Sequence, residues 1–359
     1  MLEKLRNVIA AFEFEGNVTE LKPFGSGHIN DTMLLTTDQS QYILQRINTS
    51  ILKDPQSLME NVFGVTEYLR KEIAAQGGNP ALETLTFIKT KNGDLFYNGE
   101  EGAWRSYRFQ DTLMALNACR SPQDFYESGK AFGRFQRLLT DYPAETLHEI
   151  IPHFHDTPDR MRQLKEAIAN NAAGRLDSVK EEVEFALARE DSARLVMDLQ
   201  KEGVLPLRVT HNDTKLNNVL LDPETGAGTC VIDLDTVMPG MAIFDFGDSI
   251  RFGASTAAED EQDLSKVQLD LELFEAYTKG FLEGCDNVLT PAERDLLPTG
   301  AWMMTFECGI RFLADYLNGD VYFKTAYPEH NLVRAHTQFK LVQEMEAKQD
   351  EMQAIVAKY

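Results

Sequence analysis

Asp213, Lys215, Asn218 and Asp233 are the residues on which chemistry would most readily fall. The first three belong to one run, His211-Asn212-Asp213-Thr214-Lys215-Leu216-Asn217-Asn218. The fourth ends a short apolar run fifteen residues further on, Cys230-Val231-Ile232-Asp233-Leu234-Asp235. Phosphoryl transfer from a nucleotide asks for a carboxylate that takes the proton of an acceptor hydroxyl. It also asks for oxygen ligands for magnesium and a cation to balance the phosphates. In this spacing Asp213 serves as the base, Lys215 as the cation, and Asn218 with Asp233 as the metal ligands. A His-x-Asp fragment alone would mean little more than a capped turn; the surrounding pattern gives it weight.

That pattern is a hairpin. Leu205 to Thr210 is an apolar run that delivers the loop, and Val219-Leu220-Leu221 leaves it. Asp222-Pro223-Glu224-Thr225-Gly226 reads as a turn from its Pro and Gly content. Thr229 to Leu234 returns as a strand, so Asn218 and Asp233 are expected side by side. His211 and Asp235 are expected to support this loop. Asp235 could equally touch the metal or cap the segment that follows.

Upstream, residues 2–14 have a helical rhythm. Strands are expected at 19–24, 31–37 and 41–47, with Gly25-Ser26-Gly27-His28-Ile29-Asn30 between the first two. Such a strand–glycine loop–strand unit lets backbone amides approach phosphates, so Gly25, Ser26 and Gly27 are candidate nucleotide contacts. A helix over 56–75 ends at Gln76-Gly77-Gly78-Asn79-Pro80. Strands at 85–89, 95–97 and 103–109 complete a small antiparallel sheet. The strand pattern stops near Phe109-Gln110-Asp111, where a hinge would bring the Phe109 backbone to the adenine edge. Helices are expected at 124–140, 158–171, 177–201, 262–284, 291–318 and 330–356. The result is an α+β, bilobal chain, with an N-terminal nucleotide lobe over 1–110 and a mainly helical lobe over 111–359.

Composition is compatible with a large enzyme. The 359 residues carry 57 acidic and 35 basic side chains, a formal charge of -22. A surface of that sign repels phosphate backbones and anionic bilayers, so neither nucleic acid nor membrane is expected as a partner. Cys119, Cys230, Cys285 and Cys308 are far apart and form no Cys-x-x-Cys pair, which argues against a disulfide framework or structural zinc. Without a signal-like or membrane-length apolar run, a cytoplasmic monomer is expected. His153-Phe154-His155-Asp156 is the one cluster that hints at a metal, and its Pro-flanked setting favours a helix-entry turn.

His211-x-Asp213-x-x-x-x-Asn218, the Ile232-Asp233-Leu234-Asp235 strand and Phe244-Asp245-Phe246-Gly247-Asp248 together resemble the aminoglycoside phosphotransferase and choline kinase superfamily. Gly25 to Asn30, Leu207 to Asn218, Phe244 to Thr256 and Cys308 to Tyr316 are most similar to its bacterial branch of N-acetylhexosamine kinases. The resemblance implies a bilobal protein-kinase-like fold, with ATP and Mg2+, that phosphorylates the anomeric hydroxyl of N-acetylglucosamine or N-acetylgalactosamine. It makes Asp213 both base and sugar anchor. It sets His28, Phe252 and Arg311 near the sugar. Asp245 would support the loop by bonding to its backbone. Arg311 also stands out by itself. Glu307 four residues earlier offers a plain salt bridge, but apolar Ile310, Phe312 and Leu313 suggest a buried helix where an arginine needs polar partners.

One feature departs from the pattern. Many relatives carry Lys or Arg in the strand after the glycine loop to hold the phosphates, and here that strand reads Tyr42-Ile43-Leu44-Gln45-Arg46-Ile47. Alternation lets one of Gln45 and Arg46 face the nucleotide. Rival readings are a kinase of the same fold for choline, homoserine or an aminoglycoside, and an inactive nucleotide-binding module. Choline would need an aromatic cage, for which Tyr316, Tyr322, Phe323 and Tyr327 are available. The complete Asp213, Asn218 and Asp233 set argues against the inactive module.

Overall fold

Alternating and helical patterns resolve into elements in the computed structural model, which describes residues 2–25 and 30–359. In chain order the first are α1 (Arg6–Ala11), β1 (Val18–Pro23), β2 (Asp31–Thr37), β3 (Gln41–Arg46), α2 (Pro55–Ala75), α3 (Pro80–Glu83), β4 (Phe87–Ile88), β5 (Tyr97–Gly99), β6 (Gly102–Arg108) and β7 (Met114–Ala115). There follow α4 (Pro122–Leu138), α5 (Thr157–Asn170), α6 (Lys180–Leu187), α7 (Glu190–Lys201), β8 (Arg208–Thr210), β9 (Val219–Leu221), β10 (Gly228–Val231) and β11 (Met238–Gly240). The last are α8 (Ala242–Gly253), α9 (Leu271–Cys285), α10 (Pro291–Asp295), α11 (Leu297–Asn318), α12 (His330–Ala347) and α13 (Gln349–Val356). The α+β architecture expected from sequence is the one found. Among the described residues no helix is long and apolar enough to cross a membrane.

The chain forms two units. The first comprises Met1–Leu116, Leu138–Pro152 and Asn218–Pro239. Its main sheet is antiparallel in the order β1-β2-β3-β6-β4, with β5 on β6. Val8, Phe12, Leu21, Leu35, Tyr42, Leu44 and Trp104 pack beside it. α2 begins where Asp54 accepts the N–H groups of Gln56 and Ser57, with Pro55 in the first turn, a favourable start because its missing N–H would have no helical partner. It buries Leu58, Met59, Val62, Val65, Leu69 and Ile73. A second sheet, β10-β9-β7, carries the hairpin. Asp222 turns it by accepting the N–H groups of Glu224 and Thr225 at 2.8 and 2.9 Å.

The second unit comprises Asn117–Arg137, His153–Asn217 and Gly240–Tyr359. α11 is buried along nearly all its length and packs against α5, α8 and α12. Glycines set the closest crossings. A Cβ on Gly247 of α8 would meet the Gly300 carbonyl of α11 at 2.3 Å, and one on Gly300 would meet the Ile243 carbonyl at 2.4 Å. α4 and α9 cross in the same way at Gly129, Gly133, Gly280 and Gly284.

Several expected boundaries differ. The helix expected at 2–14 is only α1, because Phe12 turns extended and bridges Thr90. The single helix at 177–201 is α6 and α7, broken at Arg189, whose guanidinium leaves to pair with Glu346. Pro298 separates α10 from α11, since it has no N–H to bond the Arg294 carbonyl four residues earlier. The helix at 262–284 starts only at Leu271, where Asp270 accepts the N–H groups of Glu272 and Leu273. The helix at 330–356 breaks at Lys348, which donates to the Leu269 carbonyl. α8 was not anticipated as a helix.

We predict that Gly247→Ala lowers stability by about 1–3 kcal/mol, because backbone is what the added methyl meets. An unchanged unfolding midpoint would show that α8 and α11 separate without cost.

Candidate active site

In the second unit, β8 feeds the loop. Arg208 at its start makes a two-pronged ion pair with buried Glu293, at 2.6 and 2.8 Å. The next residues cannot continue as strand or helix, because Asn212 has φ 64°. Their N–H groups therefore need acceptors elsewhere, and α8 supplies them. Asp245 accepts from His211 N at 2.9 Å and Asn212 N at 2.8 Å. Asp248 accepts from Thr214 N at 3.0 Å. Ser249 Oγ donates to the Thr214 carbonyl at 2.7 Å, and Thr214 Oγ1 to the Asp245 carbonyl at 2.6 Å. Gln136 Nε2 of α4 reaches both Asp245 Oδ2 and the Val209 carbonyl, at 2.8 and 3.1 Å. His211 is fully buried between Phe132 and Phe135, and its Nδ1 accepts the Asp213 N–H at 3.2 Å.

Asp213 and Lys215 emerge from this clamp as an ion pair, Nζ to Oδ1 2.8 Å. Burial works against the Lys215 ammonium, but Asp213 and then Asp248 hold its pKa above the usual value. Burial pushes the Asp245 carboxyl up, opposed by His211 and the N–H groups it accepts. Burial would raise Asp248 too, but the Arg251 guanidinium, 3.0 Å away, and Lys215 keep it below the usual range.

A further support lay hidden in the histidine cluster. Asp156 caps α5 by accepting the Asp159 N–H at 3.1 Å, so the cluster does form a helix entry. His155, however, is buried and lies between Glu307 Oε1 (2.9 Å) and the Asn212 carbonyl (3.4 Å). Thr157 donates to the other Glu307 oxygen at 2.7 Å. Glu307 is thus committed to His155 and Thr157, and the salt bridge to Arg311 offered by their spacing is not what it makes. Arg311 instead sits over Phe323 (5.5 Å), Phe154 (5.9 Å) and Tyr322 (5.9 Å). Asp315 shapes that wall by accepting the N–H groups of Val321, Tyr322 and Phe323. Phe252 lies exposed near the end of α8.

In the first unit, the hairpin register sets Val219 opposite Val231, and Ile232 N donates to the Asn218 carbonyl at 2.9 Å. Asn218 and Asp233 are thereby neighbours, Asn218 buried and Asp233 exposed. Asp233 is left-handed, φ 59° and ψ 58°, an uncommon state for a residue with a side chain. Among the described residues no group of three His, Cys, Asp or Glu side chains could hold a metal. An amide and a carboxylate oxygen suit a hard cation that fills its remaining positions with water and phosphate.

Asp235 is buried beside them. It meets Arg105 Nη2 at 2.5 Å and accepts from Asn30 Nδ2 at 2.5 Å. Gln45 is the residue of β3 that turns inward, bonded to Arg105 and Thr32, whereas Arg46 is exposed near Asp31 at 3.6 Å. Gly25 has φ +76° and open space around a would-be Cβ. Phe24 and Phe109 pack edge to face at 5.1 Å, and the Phe109 N–H is taken by the Gln41 carbonyl. Ser26, Gly27 and His28 lie outside the described residues.

Residues 20–279 match the phosphotransferase enzyme family. The chain belongs to that family. Similar solved structures include a microcompartment-associated aminopropanol kinase (16% identity, TM-score 0.63, 98% of each chain covered). Another is a spectinomycin phosphotransferase in complex with ADP and spectinomycin (13%, TM-score 0.59, 98% of this chain and 97% of that one). A choline kinase from Cryptosporidium parvum is a third (13%, TM-score 0.55, 95% and 92%). The fold is thus the protein-kinase-like one of aminoglycoside phosphotransferases and choline kinases, and the family makes the protein a phosphotransferase.

We predict that Asp245→Ala lowers both stability and turnover, since two buried N–H groups lose their acceptor, each at about 1–3 kcal/mol. Asp245→Asn, which keeps an acceptor oxygen, should fall between. Wild-type denaturation and turnover in Asp245→Ala would show that the clamp is dispensable.

Proposed function

We propose that this phosphotransferase uses ATP and Mg2+ to phosphorylate the anomeric hydroxyl of N-acetylhexosamines, acting as a cytoplasmic monomer. Asp213 orients the anomeric hydroxyl and takes its proton as the sugar oxygen bonds to the γ-phosphorus and the bond to ADP breaks. The products are the sugar 1-phosphate and ADP. Lys215, kept charged by the carboxylates around it, faces the transferring phosphoryl group. Asn218 and Asp233 would hold magnesium, which neutralises phosphate charge when bound. Gly25 and the Phe24–Phe109 ring pair would receive the nucleotide. Ser26 and Gly27 would take part through the glycine loop, and His28 and Phe252 on the sugar side.

The observation that carries the sugar assignment is the Phe154-His155 pair. His155 touches the carbonyl of Asn212, next to Asp213, and Phe154 faces the Arg311 guanidinium. Arg311 is therefore joined to the Asp213 loop through two adjacent residues. With Glu307 engaged elsewhere, its N–H groups suit the neutral oxygens of hydroxyl or acetamido groups. The same wall disfavours choline and aminoglycosides, because it already holds a positive charge. Of the four aromatics that might have formed a cage, Tyr322 and Phe323 face Arg311. Tyr316 faces Arg175 at 4.4 Å, and Tyr327 stacks on His330 at 4.5 Å.

We predict ATP-dependent turnover on N-acetylglucosamine or N-acetylgalactosamine, and little on glucose, choline or kanamycin. Preference for choline or kanamycin in a coupled ADP-release assay would overturn the substrate class. Asp213→Asn should lose at least ~10² in turnover, the low end of general-base contributions, with MgATP binding retained. More than a tenth of wild-type turnover would remove Asp213 from its role. Arg311→Ala should lower kcat/KM for the sugar more than about tenfold, as expected from charged hydrogen bonds, while KM for ATP barely moves. An unchanged sugar kcat/KM would detach Arg311 from the substrate.

A further inference from the structure

The family pattern expects a cation on the strand after the glycine loop, and β3 does not provide an inward one. It provides Gln45, and the directly paired residue of β6 is Arg105. Arg105 is buried, and its guanidinium is held on two sides. Nε and Nη2 donate to Gln45 Oε1 at 2.9 and 2.6 Å, and Gln45 Nε2 donates to Thr32 Oγ1 at 2.8 Å. Nη2 also lies 2.5 Å from Asp235 Oδ1, which is buried without an aligned hydrogen-bond donor, so this contact is chiefly ionic. The other Asp235 oxygen takes Asn30 Nδ2, and Asn30 Oδ1 takes the Asn48 N–H at 2.9 Å. One network therefore joins Asn30 at the end of the glycine loop, three strands, and the turn after Asp233.

That turn is pinned at several points. Ile232 is tied to Asn218, and Val237 N closes the single turn onto the Leu234 carbonyl at 3.1 Å. Asn61 of α2 donates to the Val237 carbonyl at 3.0 Å. Asp235 carries the Arg105 contact. Leu234, Asp235 and Thr236 are all buried, and Asp233 alone is exposed, in its left-handed conformation. An uncommon backbone state persists only when its surroundings over-determine it. Removing the guanidinium would leave Asp235 buried with an unbalanced charge, which the turn would relieve by moving.

We infer that Arg105 is a positioning residue for the phosphotransfer reaction. Through Asp235 it fixes the turn that presents Asp233, so the cation which relatives place on one strand serves here from its cross-strand neighbour, on the carboxylates rather than on phosphate. This rests on the reading of Asp233 as a metal ligand.

The test uses the full chain as Arg105→Gln, as the swap Gln45→Lys/Arg105→Gln, and as Asp233→Ala. The readout is the Mg2+ concentration that gives half of the thermal stabilisation by saturating ADP, since ligand that binds the folded state raises the melting temperature. Arg105→Gln should need roughly 10- to 100-fold more Mg2+, the usual effect of losing a partner behind a metal ligand, with kcat reduced more than KM for the sugar. The swap, which returns a cation to the same pair, should recover most of the requirement. A folded Arg105→Gln with the wild-type Mg2+ requirement overturns the inference, as does a folded swap that recovers nothing. If Arg105→Gln does not fold, the swap decides: wild-type Mg2+ dependence supports the inference, and a swap that is unfolded or Mg2+-insensitive overturns it. Wild-type Mg2+ dependence in Asp233→Ala would instead show that the metal reading itself has failed.

Discussion

The backbone of residues 211–214 is held by carboxylates from a buried helix, and the placing of Asp213 depends on that contact. A loop with a left-handed residue at Asn212 has N–H groups that no strand or helix can satisfy. Asp245 and Asp248 accept three of them from successive turns of α8. The acceptors work because α8 is buried, yet burial also penalises their charge. Asp248 is compensated by Arg251, while Asp245 depends on the N–H groups it binds and on Gln136. The position of α8 rests in turn on the absence of side chains at Gly247 and Gly300. A packing feature distant in sequence thus reaches Asp213 through a short chain of rigid contacts.

Each unit matches a carboxylate of the candidate chemistry, or its immediate support, with a partner of opposite character: Asp213 with Lys215, Asp248 with Arg251, Asp235 with Arg105, and Glu307 with His155. Such matching is needed in a chain of net charge -22, where desolvated acids left unbalanced would take up protons and lose their role as acceptors. It also explains why Lys215 stays charged beside Asp213. Arg311 differs from the lysine and arginines among these partners in that aromatic faces surround it and the acids four residues to either side along its helix are bonded elsewhere. A guanidinium so placed suits a neutral polar ligand better than a cationic one.

Much of this was legible in the sequence. The hairpin and sheet strands are short apolar runs bounded by turn residues, and β2, β3 and β9 lie where that pattern puts them. The loop residues announce themselves by type and spacing. α8 did not, because its polar residues Asp245, Asp248 and Ser249 are buried against the loop rather than turned to solvent, so in sequence they read as charges inside an apolar run. The breaks at Arg189 and Lys348 use residues that are good helix formers, so only their tertiary partners mark them. Arg105 was invisible for another reason. Reading along β3 poses a choice between Gln45 and Arg46, whereas the answer lies across the sheet, in a register that sequence alone does not supply. His155 was seen only as part of a helix entry, since its partners Glu307 and Asn212 are remote in the chain.

The most direct test of the account is the identity of the oxygen that receives the phosphoryl group. After incubation of the protein with N-acetylglucosamine, ATP and Mg2+, a proton-coupled phosphorus NMR spectrum of the product reports which sugar proton splits the new signal. The account predicts coupling to the anomeric proton, with the phosphoryl group on that hydroxyl. Coupling to the exocyclic methylene, or release of inorganic phosphate with no sugar phosphate, would contradict it.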